Sequence, residues 1–422
     1  MATKVRRACI TGTFDVKNYG DLLFPLIAQW RLGEAVEIVP ASPAGTPAGY
    51  PDACDPISIE TLLCGEDGLD AVLIGGGEIV HNFRLFAAVE GYRNENITAW
   101  AHPSLWLGAT LAAALRDLPV AWNAPGVPVP FPAAQRSGLM ASTLRAADYV
   151  SVRDTGSAAC LGAPDDVEVV PDTAVDIARM WPRDMLREPF LSLAARKGMA
   201  PETRYMAVHV RARSLGRTAP AELAEKIDAV SQAHEVTPML IAIGPGVGDG
   251  ETASAVARHL SGSHVLLDDP QSLKETAAAI AHAAVYVGAS LHGAITAAAY
   301  DVPPVIVAHP PLHKIGGFLD HIGRRGSLAR DWDAAFDTAA ELLAGPAETW
   351  IPGTAFEAAD RHWDRIAEAI SQPSCKREAR AAFLRDYTRL GIAKAGPAWG
   401  LGPFLRKVAS ARQRPPEPVG KP

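Results

Sequence analysis

Short apolar runs that stop at a glycine or a small polar turn alternate with alanine-rich stretches of helical spacing along almost the whole chain. That alternation constrains the fold more than any other feature. A strand covered on both faces reads as an unbroken apolar run, and a helix after each strand returns the chain to the same sheet. A parallel α/β sheet with helices on both faces satisfies both requirements.

In the first half, Arg7–Gly12, Val36–Pro40, Ala71–Gly75, Val120–Ala124, Tyr149–Val152 and Val167–Val170 read as strands, with helices Asp21–Leu32, Pro103–Leu115 and Ala133–Ala146 between them. Pro25 is expected in the first turn of its helix, where a missing N–H costs little. The proline- and glycine-rich stretch from Ala41 to Pro56 reads as a loop. A second series starts near Tyr205. Its strands are Met206–Val210, Pro238–Ile243, His264–Leu267, Val285–Val287 and Pro304–Ala308. Its helices are Ala219–His234, Thr252–Leu260, Ser272–His282 and Gly293–Tyr300. Trp181–Thr203 reads as the linker between the two. The expectation is an α/β protein of two Rossmann-like doubly wound domains, 1–180 and 204–350, facing a cleft. Amphipathic helices Glu357–Ser371 and Lys376–Leu390 follow within 351–399. Residues 400–422 are basic and proline-rich and read as a disordered tail. A weak membrane-surface contact through Arg406, Lys407, Arg412 and Arg414 is the other reading of that tail.

At 422 residues the chain exceeds the usual span of one hydrophobic core. A composition 48% hydrophobic and 21% charged belongs to a folded, water-exposed protein. The net charge of −7 argues against generic nucleic-acid binding, which needs a basic footprint. There is no 18-residue apolar run, and the first residues lack the apolar stretch of a secretion signal. The expected compartment is the cytoplasm, with the inner face of the membrane as the place for any tail contact. Five scattered cysteines, none spaced as CxxC, point to reduced thiols rather than to disulfides or a zinc site.

In an open α/β sheet, turns leaving the carboxyl ends of strands face the ligand crevice, and the unpaired amides of the next helix suit an anion. Tyr286–Ile295 is such a strand and turn, carrying His292 between Ser290 and Gly293. His292 has a core or capping reading as well as a catalytic one. Lys314, after the next strand, gives it a cationic neighbour. The loop Gly12–Asp21 is neither GxGxxG nor GxxxxGK[ST], so it indicates no dinucleotide and no P-loop. Its Asn18, Gly20 and Asp21 are candidates to line the cleft, with an N-cap role as the alternative for Asp21. Gly75, Gly76 and Gly77, followed by Glu78, allow close backbone approach to a ligand or a tight turn. Arg153 follows a strand and can fork onto a carboxylate or phosphate, or pair at the surface with Asp154. Asp172 follows the next strand. His209, Arg211 and Arg213 share one face while the chain is extended. Arg211 is the better ligand candidate, Arg213 reads as a solvated loop residue, and His209 as a core residue. Trp100, Trp106 and Trp122 offer sugar stacking or core packing.

The ordered set Asn18-Tyr19-Gly20-Asp21, Gly75-Gly76-Gly77, Val152-Arg153-Asp154, Val170-Pro171-Asp172, Ser290-Leu291-His292-Gly293, Val302-Pro303 and Lys314–Leu319 resembles the polysaccharide pyruvyl transferase family, over roughly Ile10 to Ile322. The resemblance implies a GT-B-like fold, with the first domain facing the acceptor and the second the donor. It also implies transfer of the pyruvyl group of phosphoenolpyruvate to two hydroxyls of a sugar, forming a cyclic ketal and releasing phosphate. The acceptor would be a glycan or glycolipid precursor of the cell envelope. Phosphoenolpyruvate would serve as co-substrate, with no other cofactor and no metal. The family's histidine and leading arginine fall on His292 and Arg153. Members often carry arginine before the Leu-His pair where this chain has Ser290, so a second phosphoenolpyruvate-binding arginine is either missing or replaced by Arg211 or Lys314. His292 is then the general acid, and Asp21 or Asp172 the base toward the sugar. A nucleotide-sugar glycosyltransferase and a non-catalytic glycan-binding protein are the alternatives.

Overall fold

The computed structural model describes residues 5–65, 68–83, 92, 97–372 and 375–401. Its first sheet contains β1 (Arg6–Thr11), β2 (Val36–Ser42), β3 (Ile57–Ser58), β4 (Ala71–Gly75) and β5 (Val120–Asn123). All pairs are parallel, in the spatial order β3-β2-β1-β4-β5. The chain leaves β3 for one face and returns on the other side of β1, so the strand order reverses between β1 and β4. All five residues of β4 are buried, as a strand with helices on both faces requires.

Two short strands, β6 (Ser151–Val152) and β7 (Glu168–Val169), pair with each other and join the first sheet through a bridge from Ala121 to Tyr149 and a bond from Ser151 Oγ to Trp122 O at 2.6 Å. They are shorter than the runs at 149–152 and 167–170 suggest, because Arg153 and Pro171 turn the chain out of the sheet.

The second sheet contains β8 (Tyr205–His209), β9 (Thr237–Ile241), β10 (Val265–Leu267), β11 (Val285–Gly288), β12 (Pro304–Val307) and β13 (Leu328–Ala329). Its order is β10-β9-β8-β11-β12-β13, again all parallel, with the reversal between β8 and β11. Both sheets are therefore of Rossmann type.

The two units share a core. Ile10, Phe14, Leu23 and Phe24 from the first pack in one apolar cluster with Ile243, Ala277, Leu291 and Phe318 from the second. Backbone and side-chain bonds cross the same seam. Tyr19 N donates to Ile243 O at 3.0 Å, and the Tyr19 hydroxyl meets Thr296 Oγ1 at 2.9 Å. Asp52 accepts from Leu273 N and Lys274 N, capping helix Leu273–Ala281 of the other unit.

The structure corrects one expectation and adds two helices. Helix one starts at Tyr19, two residues early, so Pro25 lies in its interior and the Asp21 carbonyl lacks its i+4 donor. Trp181–Thr203, read as the linker, holds helix Arg187–Arg196, whose Phe190 and Leu193 are buried. The segment after β12 forms helix His313–His321, whose glycine pair lowers its helical signal.

The C-terminal helices run Gly353–Ser371 and Arg377–Ala395. The first drives Trp363, Ile366 and Ile370 into the shared core. The second returns to the amino-terminal unit, where buried Arg380 bonds Asp117 at 2.9 Å and Asp148 at 3.1 Å beside buried Phe383. Among the described residues, no helix is long and apolar enough to cross a membrane. Arg406, Lys407, Arg412 and Arg414 lie outside the described residues.

Candidate active site

The carboxyl ends of β1 and β4 face those of β8 and β11, so the two switch points meet across one seam. Helix Tyr19–Leu32 opens there. Asp21 does not cap it. Asn18 holds the cap position and spends its amide on Asp21 Oδ2 at 2.7 Å, while Thr13 Oγ1 donates to the same oxygen at 2.8 Å. Asp21 Oδ1 faces the second loop, where a Cβ on Gly77 would come within 2.5 Å of it. Gly76 and Gly77 have φ of 110° and 83°, conformations that side chains disfavour, and this lets the loop lie against helix one.

The same helix start meets His292. Gly20 lies against the imidazole so closely that a Cβ there would overlap Nδ1. Phe24, one turn on, packs edge-on to the ring at 5.4 Å. Ser290 is the N-cap of helix Leu291–Ala299, its Oγ accepting from Gly293 N at 3.3 Å. A Cβ on Gly293 would collide with the Tyr286 hydroxyl. Ser290 and Gly293 thus have local structural work in setting the turn. The His292 side chain is 11% exposed, and Nε2 lies 3.7 Å from Asp172 Oδ2. That is longer than a hydrogen bond, and Nε2 has no partner.

Arg153 is buried to 3% exposure, so the surface-pair reading of Arg153 and Asp154 does not apply. Nη1 donates to Asp172 Oδ2 at 3.2 Å, Nη2 lies 3.4 Å from Glu78 Oε1, and Nε makes no hydrogen bond but lies 3.8 Å from Asp154 Oδ2. Gly126 makes room for the guanidinium; a Cβ there would sit 2.5 Å from Nη2. Glu78 Oε2 accepts from Lys314 Nζ at 2.8 Å. One carboxylate therefore ties the arginine of the first unit to the lysine of the second.

These contacts set the charge states. Burial pushes Asp172 up, but His292 and Arg153 overcome it and hold the carboxyl at about 2. Burial likewise opposes ionisation of Glu78, and Lys314 with Arg153 brings it down to about 2. Burial lowers Lys314 from the usual ammonium range, Glu78 resists, and the Arg153 charge adds to the fall.

Several site residues escaped the sequence reading. His313 Nδ1 pairs with Asp154 Oδ1 at 2.9 Å, which raises the imidazole's pKa, and Asp154 also caps helix Thr155–Leu161. The signal was present, since His313 adjoins Lys314 after a strand. Asp249 binds His209 Nε2 at 2.9 Å, Gly244 N at 2.8 Å and Arg211 Nε at 3.3 Å. His209 is a buried core residue, and Arg211 reaches the cleft wall already tethered. Arg213 is near enough to Arg211 that burial and repulsion lower its pKa. Trp122 is sealed in β5 and Trp106 is nearly so, leaving Trp100 exposed. Among the described residues, no three His, Cys, Asp or Glu side chains converge as metal ligands.

The arrangement has known counterparts in fold. UDP-GlcNAc 2-epimerase from Neisseria meningitidis bound to UDP-GlcNAc aligns with a TM-score of 0.51, covering 91% of this chain and 100% of its own at 11% identity. A putative UDP-N-acetylglucosamine 2-epimerase from Listeria monocytogenes aligns with a TM-score of 0.51, covering 94% and 98% at 13% identity. These likenesses show a GT-B-type fold and no more. No curated protein matches the chain by sequence. The sequence model of polysaccharide pyruvyl transferase matches residues 18–311, from Asn18 of the first loop past His292. That match spans well over half of the molecule, and it shows that the chain belongs to the polysaccharide pyruvyl transferase family, a family of transferases.

Proposed function

We propose that the cleft transfers the pyruvyl group of phosphoenolpyruvate onto two hydroxyls of a sugar in a glycan or glycolipid precursor, with release of phosphate. The observation that carries this reading is the cluster of Arg153, Lys314 and His292 around two carboxylates, buried Asp172 and half-buried Glu78. A donor bearing both a carboxylate and a phosphate needs fixed cations from two directions. Arg153 comes from the first unit and Lys314 from the second, with Arg211, tethered to Asp249, as a further cation from the second.

Ketal formation needs a proton on the methylene carbon. His292, backed by the ionised Asp172, delivers it. Asp172 is too buried to reach a sugar and serves to hold the imidazolium, so Asp21 takes the role of base. Asp21 removes the proton of the first hydroxyl as its oxygen bonds the central carbon. Phosphate then departs with the electrons of its C–O bond. The second hydroxyl closes the ring on that carbon and gives up its proton, so phosphoenolpyruvate plus a diol yields a ketal plus phosphate. Asn18 and Thr13 orient Asp21, while Gly20, Gly76 and Gly77 let substrate and imidazole approach the backbone.

Thermal unfolding tests the donor without knowledge of the acceptor. A ligand at a hundred times its dissociation constant adds about 2.7 kcal/mol of stability. Phosphoenolpyruvate is expected to raise the melting temperature and UDP-GlcNAc to leave it unchanged. The reverse result would replace this reading by a nucleotide-sugar transferase. Stabilisation by glycans alone, with no phosphate release, would favour a binding protein.

A further inference from the structure

A cavity of about 700 Å³ opens on the far side of the second loop, between helix Arg377–Ala395 and two helices of the amino-terminal unit. Its volume falls in the range of small-molecule sites, about 300–1,000 Å³. The loop that carries Glu78 reaches it at Asn82, and the backbone oxygen of His81 holds the indole of Trp106 as one wall at 3.1 Å. Phe131, edge-on to Trp106 at 5.6 Å, continues that wall.

Both helices of the amino-terminal unit widen where they border the cavity. Ser104–Gly108 and Arg136–Met140 are π-helical turns, a distortion often found at functional sites. Gly138 leaves helical geometry altogether, with φ −97° and ψ −113°, and a Cβ there would meet nothing within 4 Å.

Charge and exposure identify the occupant. Arg145, Arg389 and Lys394 line the cavity without a hydrogen bond or ion pair to any described residue. The one carboxylate in the lining, Asp386, is engaged by Ser142 Oγ at 2.6 Å. Leu390 in the lining, and Ile392, Trp399 and Leu401 outside it, are exposed along the final helix and the turn after it. The sequence that follows, 402–422, carries five basic residues and one acidic. Free cations around an apolar hole, bordered by exposed apolar side chains, suit an acidic amphiphile presented by a surface rather than a soluble anion.

We propose that this cavity takes an acyl chain of an acidic membrane phospholipid, whose phosphate sits among Arg145, Arg389 and Lys394. The enzyme would thereby dock on an anionic bilayer with its amino-terminal unit toward the lipid. The proposal does not depend on the donor, because its test contains no phosphoenolpyruvate.

The full chain is floated with vesicles of phosphatidylcholine alone or mixed with phosphatidylglycerol, and is titrated calorimetrically with dihexanoyl phosphatidylglycerol. Flotation only with the acidic vesicles and saturable binding of the short-chain lipid are expected. Removing one basic residue near a charged membrane weakens binding about fivefold. The double variant R145E/R389E should therefore lose more than about tenfold in both assays. Ala393→Trp, which fills the cavity mouth and leaves every charge in place, should abolish binding of the short-chain lipid. Unchanged melting temperatures keep folding out of the comparison, and a chain ending at Leu401 should still bind the short-chain lipid. If Ala393→Trp binds as the wild type does, or if only the shortened chain loses binding, the cavity is not the site. Equal flotation with phosphatidylcholine alone would also overturn the proposal.

Discussion

The two switch points that meet at the seam contribute opposite chemistry. The first unit brings Asp21, Glu78, Asp154 and Asp172, and a single buried arginine, Arg153. The second brings His292, His313, Lys314 and Arg211, and its carboxylate Asp249 is turned away into a tether. Among the described residues, three acid–base pairs cross the seam: Glu78 with Lys314, Asp154 with His313, and, at the longer distance of 3.7 Å, Asp172 with His292. The proposed donor site lies where the pairs converge, and among the described residues Arg153 is the cation it takes from the acidic side.

Breaking the catalytic end of that convergence should cost most. His292→Ala is expected to lower phosphate release from phosphoenolpyruvate by about 10²–10⁴-fold with the melting temperature nearly unchanged. Gly20→Ala tests the same ring from the other side. Its methyl group would displace the imidazole, and a shift of that size can cost about 10²-fold. Wild-type turnover in both variants would take His292 out of the mechanism.

Arg153→Met should act on stability as well as donor binding. It leaves Asp172 buried with the Ala174 amide on Oδ1 and His292 Nε2 3.7 Å from Oδ2, and breaking a buried pair commonly costs about 3–5 kcal/mol. Urea unfolding at neutral pH reads the loss. A variant that binds phosphoenolpyruvate as tightly as the wild type would show that the two units do not share the donor.

The pairs also differ in their response to pH. Asp172 is held at about 2 against an unfolded value of 3.8. Its contribution is complete above pH 4 and disappears as pH falls toward 2, so Asp172→Asn should flatten the stability profile in that window. His313 has the opposite sign. Its raised pKa means a contribution present below pH 6.5 and lost as pH climbs through the raised value. His313 is one-third exposed, so His313→Gln should change stability by less than about 1 kcal/mol. A profile unchanged by either substitution would mean that the pairs do not couple the units.

The sequence showed the ends of the strands and therefore most of the site. Buried strands such as Ala71–Gly75 are unbroken apolar runs, and His292, Arg153 and Glu78 each follow one. What stayed hidden was pairing over distance. Glu78 and Lys314 are 236 residues apart, and Asp154 and His313 are 159 apart, and nothing local to either member names its partner. Strands of two residues, β3 and β13, carry no period to read. Ser290, conspicuous as a departure from the family, turned out to be a helix cap.

The most direct test concerns Glu78, which holds Lys314 and Arg153 where the donor's anionic groups would go. Calorimetric titration of phosphoenolpyruvate into the wild type and Glu78→Gln compares the two states of that contact. Tighter binding to the variant is the predicted result, because an anion no longer competes for the two cations. Weaker binding, or none to either protein, would contradict a donor site built across the seam.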